Sequence, residues 1–395
     1  MRLPPRHTPA RRRLVALAVA AALALVAGVV IGASAGDHST PRKPAASAAG
    51  RATAKQPRPA AVGAAQKLSP ARQAGQLVVM RFNGAGPPAY VPRALRAGRA
   101  AGVILFKDNI ASRAALPKLV RALQQAAGGS ALVSTDQEGG AIRNLPWAGP
   151  VAGQAATATS ERATADARAA AHDLRAAGVN VNLAPVADVA EGPGSVMRGR
   201  AFPGDAEQVA ALTRAAVRGY RGTHVAATVK HFPGLGAATE NTDDAPVSLT
   251  RTPEQLLGTD LPPFRAAIAA GVPLVMASHA IYPSLDASAI ASQSRYVLQR
   301  LLRERLGFGG VIVTDSLEAR AVTERAGPAE AAVRSVRAGA DLVLTTGAGS
   351  HLRVLRAIIA EAKRSPSFRR RVAESAARVL ALKHDLGLRA PRAGG

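Results

Sequence analysis

From Ser69 almost to the end of the chain, short apolar runs alternate with longer amphipathic segments. Apolar runs of about 4–8 residues bounded by turn residues read as strands buried on both faces, and apolar residues recurring with the helical period read as helices packed on them. The strand candidates are Gln76–Phe82, Gly102–Phe106, Ala131–Thr135, Val179–Val186, Val225–Val229, Leu274–Ser278, Gly310–Thr314 and Ala340–Thr345. Between them the pattern predicts helices over Arg113–Ala127, Thr159–Ala177, Ala206–Arg221, Glu254–Ala270, Tyr296–Leu306, Ala329–Ala338 and Leu352–Ala360, with a closing helix around Ser367–Leu386. This alternation predicts an α/β fold, a (β/α)8 barrel of the TIM type forming one catalytic domain over residues 68–388, followed by a short tail at 389–395. The competing open doubly wound sheet would place a Gly-rich nucleotide loop after its first strand, and the chain has none there.

The region ahead of the barrel has a different character. Arg2, Arg6, Arg11, Arg12 and Arg13 precede an uncharged run from Leu14 to Ala35. A basic flank followed by such a run is an export signal, long enough to be either a cleaved signal peptide ending near Ala33-Ser34-Ala35 or a membrane anchor through residues 14–35. Residues 36–67 are rich in Ala, Pro, Arg and Ser with few large apolar side chains, which predicts a disordered tether. The chain is therefore expected outside the cytoplasm, extracellular or associated with the cell envelope.

A formal net charge of +25 invites a nucleic-acid reading, but residues 1–66 carry ten Lys and Arg against the single acid Asp37, so nine of the net charges sit in the leader and tether. The remaining arginines are scattered through helices without the aromatic residues on which bases stack, so nucleic acid is not the expected partner. With no cysteine in the chain, stability must come from the core and not from disulfides.

In a barrel the chemistry sits at the carboxyl ends of the strands. Four polar clusters fall there: Asp136-Gln137-Glu138-Gly139-Gly140, Met197–Phe202, Lys230-His231 and Asp315. Acids, a base and an arginine converging on one rim suit a polyhydroxylated substrate, whose hydroxyls need charged hydrogen-bonding partners in place of water. Local alternatives exist for each: Asp315 with Glu318 fits a helix capping box, Asp136 fits a turn before the glycine pair, and His279 can be a core histidine.

The segment Lys230-His231-Phe232-Pro233-Gly234-Leu235-Gly236, with Asp136-Gln137-Glu138-Gly139-Gly140, Arg200-Ala201-Phe202 and Val313-Thr314-Asp315-Ser316 in the same order, resembles glycoside hydrolase family 3, specifically its single-domain β-N-acetylglucosaminidase branch. The resemblance runs from about Leu68 to Leu386. It implies that Asp315 is the nucleophile forming a covalent glycosyl intermediate, and that Asp136, Arg200, Lys230 and His231 bind the sugar. It implies a carbohydrate substrate, terminal β-linked N-acetylglucosamine from peptidoglycan fragments, handled by a monomer without metal or cofactor. Other specificities within the family, phosphorolysis, or a weakly active sugar-binding module are the rivals.

Two departures stand out. Where the branch carries an Asp and then a His that serves as general acid, this chain has Asn241-Thr242-Asp243. Asp243 is the favoured replacement, as a carboxylic acid with a raised pKa, and Glu240 and Asp244 on the same loop are alternatives. Where the branch has an arginine after the Gly-Gly pair, Asn144 stands here, with Arg143 one residue earlier.

Overall fold

The structure, a computed structural model, describes residues 58–391. The expected leader at 1–35 and most of the tether lie outside the described residues, among which no helix is long and apolar enough to cross a membrane.

Eight parallel strands close into a barrel in sequence order: β1 Val78–Met80, β2 Gly102–Ile104, β3 Leu132–Thr135, β4 Val181–Asn182, β5 Ala226–Phe232, β6 Leu274–Ala277, β7 Val311–Ser316 and β8 Leu342–Thr345. Registers such as Val78↔Val343 and Val79↔Gly102 join the first strand to the last and to the second, which leaves no edge. The main helices around the barrel are α1 Tyr90–Arg96, α2 Leu116–Ala126, α3 Ser160–Ala176, α4 Ala206–Gly219, α5 Leu261–Ala269, α6 Tyr296–Arg305, which is wound with the wider π period, α7 Pro328–Ala338, α8 Ser350–Arg364 and α9 Pro366–Asp385. Their starts follow local chemistry: the Asp205 carboxylate accepts from the Glu207 and Gln208 N–H groups, and the Thr159 hydroxyl accepts from Arg162 N–H.

Residues pointing into the barrel, among them Ile104, Leu132, Val181, Leu274, Val311 and Leu342, form one apolar cluster that also takes in Val379, Leu382 and Leu386. The closing helix α9 therefore plugs the amino-terminal end of the barrel, which we call the floor. The rim at the other end is left for chemistry.

Two expectations change. The segment read as one helix over Glu254–Ala270 is broken into Pro253–Gln255, a π-type turn at Leu256–Asp260, and α5. Pro262 and Pro263 have no N–H to give the preceding turn, so the ladder shifts there. Within the tether expected at 36–67, Pro59–Gln66 is a helix, with Ala61 and Ala65 buried and Ala65 and Leu68 joining the cluster that holds Val372, Ala376 and Leu380 of α9. Alanine is a strong helix former with a small side chain, so a stretch short of large apolar residues can still lie close against a neighbouring helix. Arg58 pairs with Asp385 at 2.8 Å, and Gln73 donates to the Ala65 carbonyl at 3.0 Å.

Residues 58–391 contain the whole barrel, its apolar clusters and its plug, and so form a self-contained folding unit. A protein starting at Leu68 should melt several degrees below one starting at Arg58, having lost roughly 2–3 kcal/mol of burial, with kcat unchanged. Equal melting temperatures in a thermal scan would count against this account of the amino-terminal helix.

Candidate active site

A cleft of about 530 Å³ opens at the rim, lined by residues from the ends of nearly every strand, including Arg81, Phe106, Asp136, Glu138, Arg200, Lys230, His231, Asp243, Asp315 and Thr346. A larger hollow of about 880 Å³ lies between α3 and α4 on the outer helical layer. It is lined by helix residues, mostly alanines and arginines with Glu161, His172 and Asp173, and its one acid–base pair, His172 with Asp173 at 3.5 Å, stands on the outer helical surface with the histidine exposed, away from the strand ends. Chemistry belongs to the rim.

Asp136 follows β3, and Glu138 stands in the short strand Gln137–Gly139 that pairs with Ile142–Arg143. Strand β5 runs further than its apolar pattern suggests, so Lys230 and His231 lie within it and not after it. The Lys230 ammonium reaches Asp136 Oδ1 and Glu138 Oε1, each at 2.7 Å. Arg200 grips Glu138 with two bonds, Nε to Oε2 at 3.0 Å and Nη2 to Oε1 at 2.8 Å. Burial alone would raise the Glu138 pKa, but the charges of Lys230 and Arg200 outweigh it and bring the carboxyl down to about 2. Lys230 shows the mirror balance: burial would lower it, and Asp136 and Glu138 raise it.

His231 is positioned from beneath by Asp188, which is wholly buried. Asp188 Oδ2 accepts from His231 Nδ1 at 2.7 Å, while its Oδ1 accepts from the backbone N–H groups of His231 at 3.1 Å and Leu235 at 2.7 Å. With Nδ1 committed to a carboxylate, Nε2 faces Asp315 Oδ2 at 3.9 Å. The loop after His231 has almost no room: a Cβ on Gly236 would come within 1.8 Å of the Val189 carbonyl oxygen, and one on Gly234, at φ +144°, within 2.7 Å of Asp260. Only glycine lets the chain pass there. Below it Arg251 links Glu191 and Asp260, and burial pushes the Asp260 carboxyl up to about 7 despite that arginine.

Asp315 lies in β7 with its side chain 20% exposed. Its Oδ1 accepts from the Ser316 N–H at 2.7 Å. Burial would raise its pKa, yet His231, His279, Lys230 and that N–H together hold it below the ordinary carboxylate range. Asp243 reaches the same cleft from the loop after β5. Asp243 is exposed on its outer side; the protein on its inner side and the Asp315 charge raise its carboxyl to about 6. Its solvent-facing side is screened by water while the cleft is open, and a sugar filling the cleft removes that water. The Asp243 loop is docked: the carbonyls of Thr242 and Asp243 accept from the N–H groups of Ala321 and Arg320, each at 3.1 Å, on the segment that follows the β7 nucleophile candidate.

The profile described as the glycosyl hydrolase family 3 N-terminal domain matches residues 71–382. The chain belongs to this family. It is a glycoside hydrolase. A beta-hexosaminidase of Stenotrophomonas maltophilia is 37% identical over 258 residues, covering 62% of this chain and 75% of that protein. An uncharacterized secreted glycosyl hydrolase of Arthroderma benhamiae is 36% identical over 333 residues, covering 80% of this chain and 94% of that one. The solved structure of a family 3 beta-N-acetylglucosaminidase from Paenibacillus sp. is similar with a TM-score of 0.77 and 37% identity, over 81% of this chain. This chain spans 63% of the length of that structure.

In this family 3 barrel, all six residues singled out from sequence, Asp136, Arg200, Lys230, His231, Asp243 and Asp315, line one cleft. Asn241 and Asp243 line it and Glu240 and Asp244 do not, which separates the three acids of that loop. Asn144 also faces the cleft and donates to the Asp136 carbonyl at 3.0 Å, whereas Arg143 turns to the Pro146 carbonyl. His279 is a core residue: its Nδ1 meets Ser292 Oγ at 2.7 Å and its Nε2 meets the Ser316 carbonyl at 2.9 Å.

Residues missed in the sequence are Asp188, Arg81 and the pairing role of Glu138. Asp188, two residues past a strand candidate, met the strand-end rule. Arg81 lay inside the first strand candidate and did not; it stacks over Phe106 at 4.7 Å and pairs with Asp108 at 3.2 Å.

Asp188→Asn tests the underpinning. Its single oxygen would serve the two backbone donors and turn an NH2 toward His231 Nδ1, forcing the other tautomer, so kcat should fall about 10²-fold or more with circular dichroism unchanged. Wild-type kcat in a folded variant would remove Asp188 from the mechanism.

Proposed function

We propose that the protein is a retaining exo-β-N-acetylglucosaminidase that removes terminal β-linked N-acetylglucosamine, with peptidoglycan fragments as its source. The observation that carries this reading is a pair of carboxyls in one cleft whose surroundings drive them apart, Asp315 downward and Asp243 up to about 6. One is ready to attack as an anion, the other to deliver a proton. The sugar identity draws on the beta-hexosaminidase and beta-N-acetylglucosaminidase relatives, and the source on the export signal.

In the first step an Asp315 oxygen bonds to the anomeric carbon while the glycosidic C–O bond breaks and Asp243 protonates the departing oxygen. In the second, the Asp243 carboxylate takes a proton from water, the water oxygen bonds to the anomeric carbon, and Asp315 leaves as a carboxylate. Asp136 accepts from sugar hydroxyls, Lys230 and Arg200 donate to them, and His231, which donates to Asp188 through Nδ1, accepts from a hydroxyl at Nε2. Water is favoured over phosphate as acceptor, because the Asp243 carboxylate left by the first step repels an anion entering the cleft.

Protein 58–395 should release chromophore from an aryl β-N-acetylglucosaminide, and Asp315→Asn should lower that rate by about 10⁴-fold or more. Turnover of glucosides in preference, or dependence on phosphate, would replace the proposed specificity; tight sugar binding with no turnover would leave only a binding module.

Asp243→Asn should cost about 10²–10⁴ on an unactivated disaccharide and far less on an aryl glycoside, whose leaving group needs little protonation. For wild type, kcat/KM should fall as pH rises through about 6, since the acid must be protonated, and this limb should vanish in Asp243→Asn. The limb of kcat should lie at higher pH than that of kcat/KM, because bound sugar excludes water from Asp243. A basic limb that survives the substitution would move the acid elsewhere.

A further inference from the structure

Asp341 precedes β8 at the floor of the barrel and is wholly buried. Three arginines converge on it. Arg303 Nη2 and Arg371 Nη2 hydrogen-bond its two oxygens, and Ser375 Oγ and the Ile312 N–H complete its partners at 3.1 and 3.0 Å. Arg378 Nη1 stands 3.8 Å from the same carboxylate, beyond hydrogen-bonding reach. Arg303 gives its other terminal nitrogen to the carbonyls of Phe308 and Gly310, and Arg371 reaches out to the exposed Glu374 at 3.1 Å.

The donors and the charges do not balance. The side chain of Arg378 is only 10% exposed, and its Nε and Nη1, with the Nε atoms of Arg303 and Arg371, are buried without an acceptor. In the buried shell three guanidinium groups face one carboxylate. Arg303 registers the imbalance: burial brings it down to about 9, with Arg378 and Arg371 adding to the fall and Asp341 opposing it. An uncompensated buried cation is costly, and arginine cannot ordinarily escape by losing its proton.

We propose that the barrel floor holds a small monovalent anion, chloride in ordinary buffers, between Arg378 and the Nε edges of Arg303 and Arg371. The anion supplies both missing elements, a negative charge and an acceptor for the orphaned N–H groups. A single-atom ion suits the place, because it needs least room and loses its water more readily than sulfate or phosphate. Entry is from the floor, past Arg371 and Arg378, whose side chains keep 14% and 10% of their surface exposed. The site lies at the opposite end of the barrel from the catalytic cleft, so its occupancy acts on the fold and leaves the chemistry alone.

Crystals of protein 58–395 soaked in bromide should show an anomalous peak within hydrogen-bonding distance of Arg378. In solution, melting should be about 2–4 °C higher in sodium chloride than in sodium gluconate at equal ionic strength. Arg378→Met leaves Asp341 bonded to Arg303, Arg371, Ser375 and Ile312, so this variant should fold, lose the chloride response, and be at least as stable as wild type in gluconate. Arg378→Gln serves if the methionine variant does not fold. No bromide peak, with Arg378 donating only to water or protein, overturns the proposal. So does a chloride response that persists in the variant.

Discussion

The rim depends on one balanced quartet of charges, Lys230 and Arg200 set against Asp136 and Glu138 in nearly dry protein. Glu138 is the keystone, because it alone touches both cations. Two positive groups crowded beneath a sugar site would repel one another and disorder the strand ends that carry them. With Glu138 between them they become a fixed set of donors. Removing one member of such a buried set leaves an uncompensated charge, which costs about 3–5 kcal/mol. The same set that binds would therefore be felt as stability.

The two carboxyls of the cleft acquire different characters through the same rules. Asp315 is surrounded by two histidines, a lysine and a backbone N–H, all favouring the anion. Asp243 comes in on a loop with Asp315 as its strongest charged neighbour, so for it the anion is disfavoured. Docking of that loop through the carbonyls of Thr242 and Asp243 onto the segment after β7 fixes the spacing between the two by backbone bonds and not by side-chain chance. Main-chain hydrogen bonds hold the loop in place without needing a second side chain to orient it.

Much of the fold was legible because a parallel barrel writes itself twice, in doubly buried apolar runs and in amphipathic helices between them. What failed to show was structure held by small or proline-rich segments. Pro59–Gln66 has no apolar stripe large enough to announce a helix, and its Ala61 and Ala65 matter only because α9 lies alongside. Five of the six rim residues fell in clusters at strand ends, where chemistry concentrates, and Asp243 showed only through the resemblance to the family. Arg81 fell inside a strand candidate and escaped the rule. Asp188 was hidden for a different reason: a buried carboxylate that works through another side chain looks, in sequence, like any acid in a loop. The choice among Glu240, Asp243 and Asp244 needed three dimensions, since neighbours on a turn point in different directions.

The amino-terminal helix adds a mechanical fact. Arg58 meets Asp385 at the end of α9, and α9 plugs the floor, so the chain enters the barrel at the pole opposite the cleft. Any pull transmitted along the polypeptide ahead of Arg58 acts on that pole. A load applied at Arg58 is borne at the base of the barrel, away from the side chains that line its mouth.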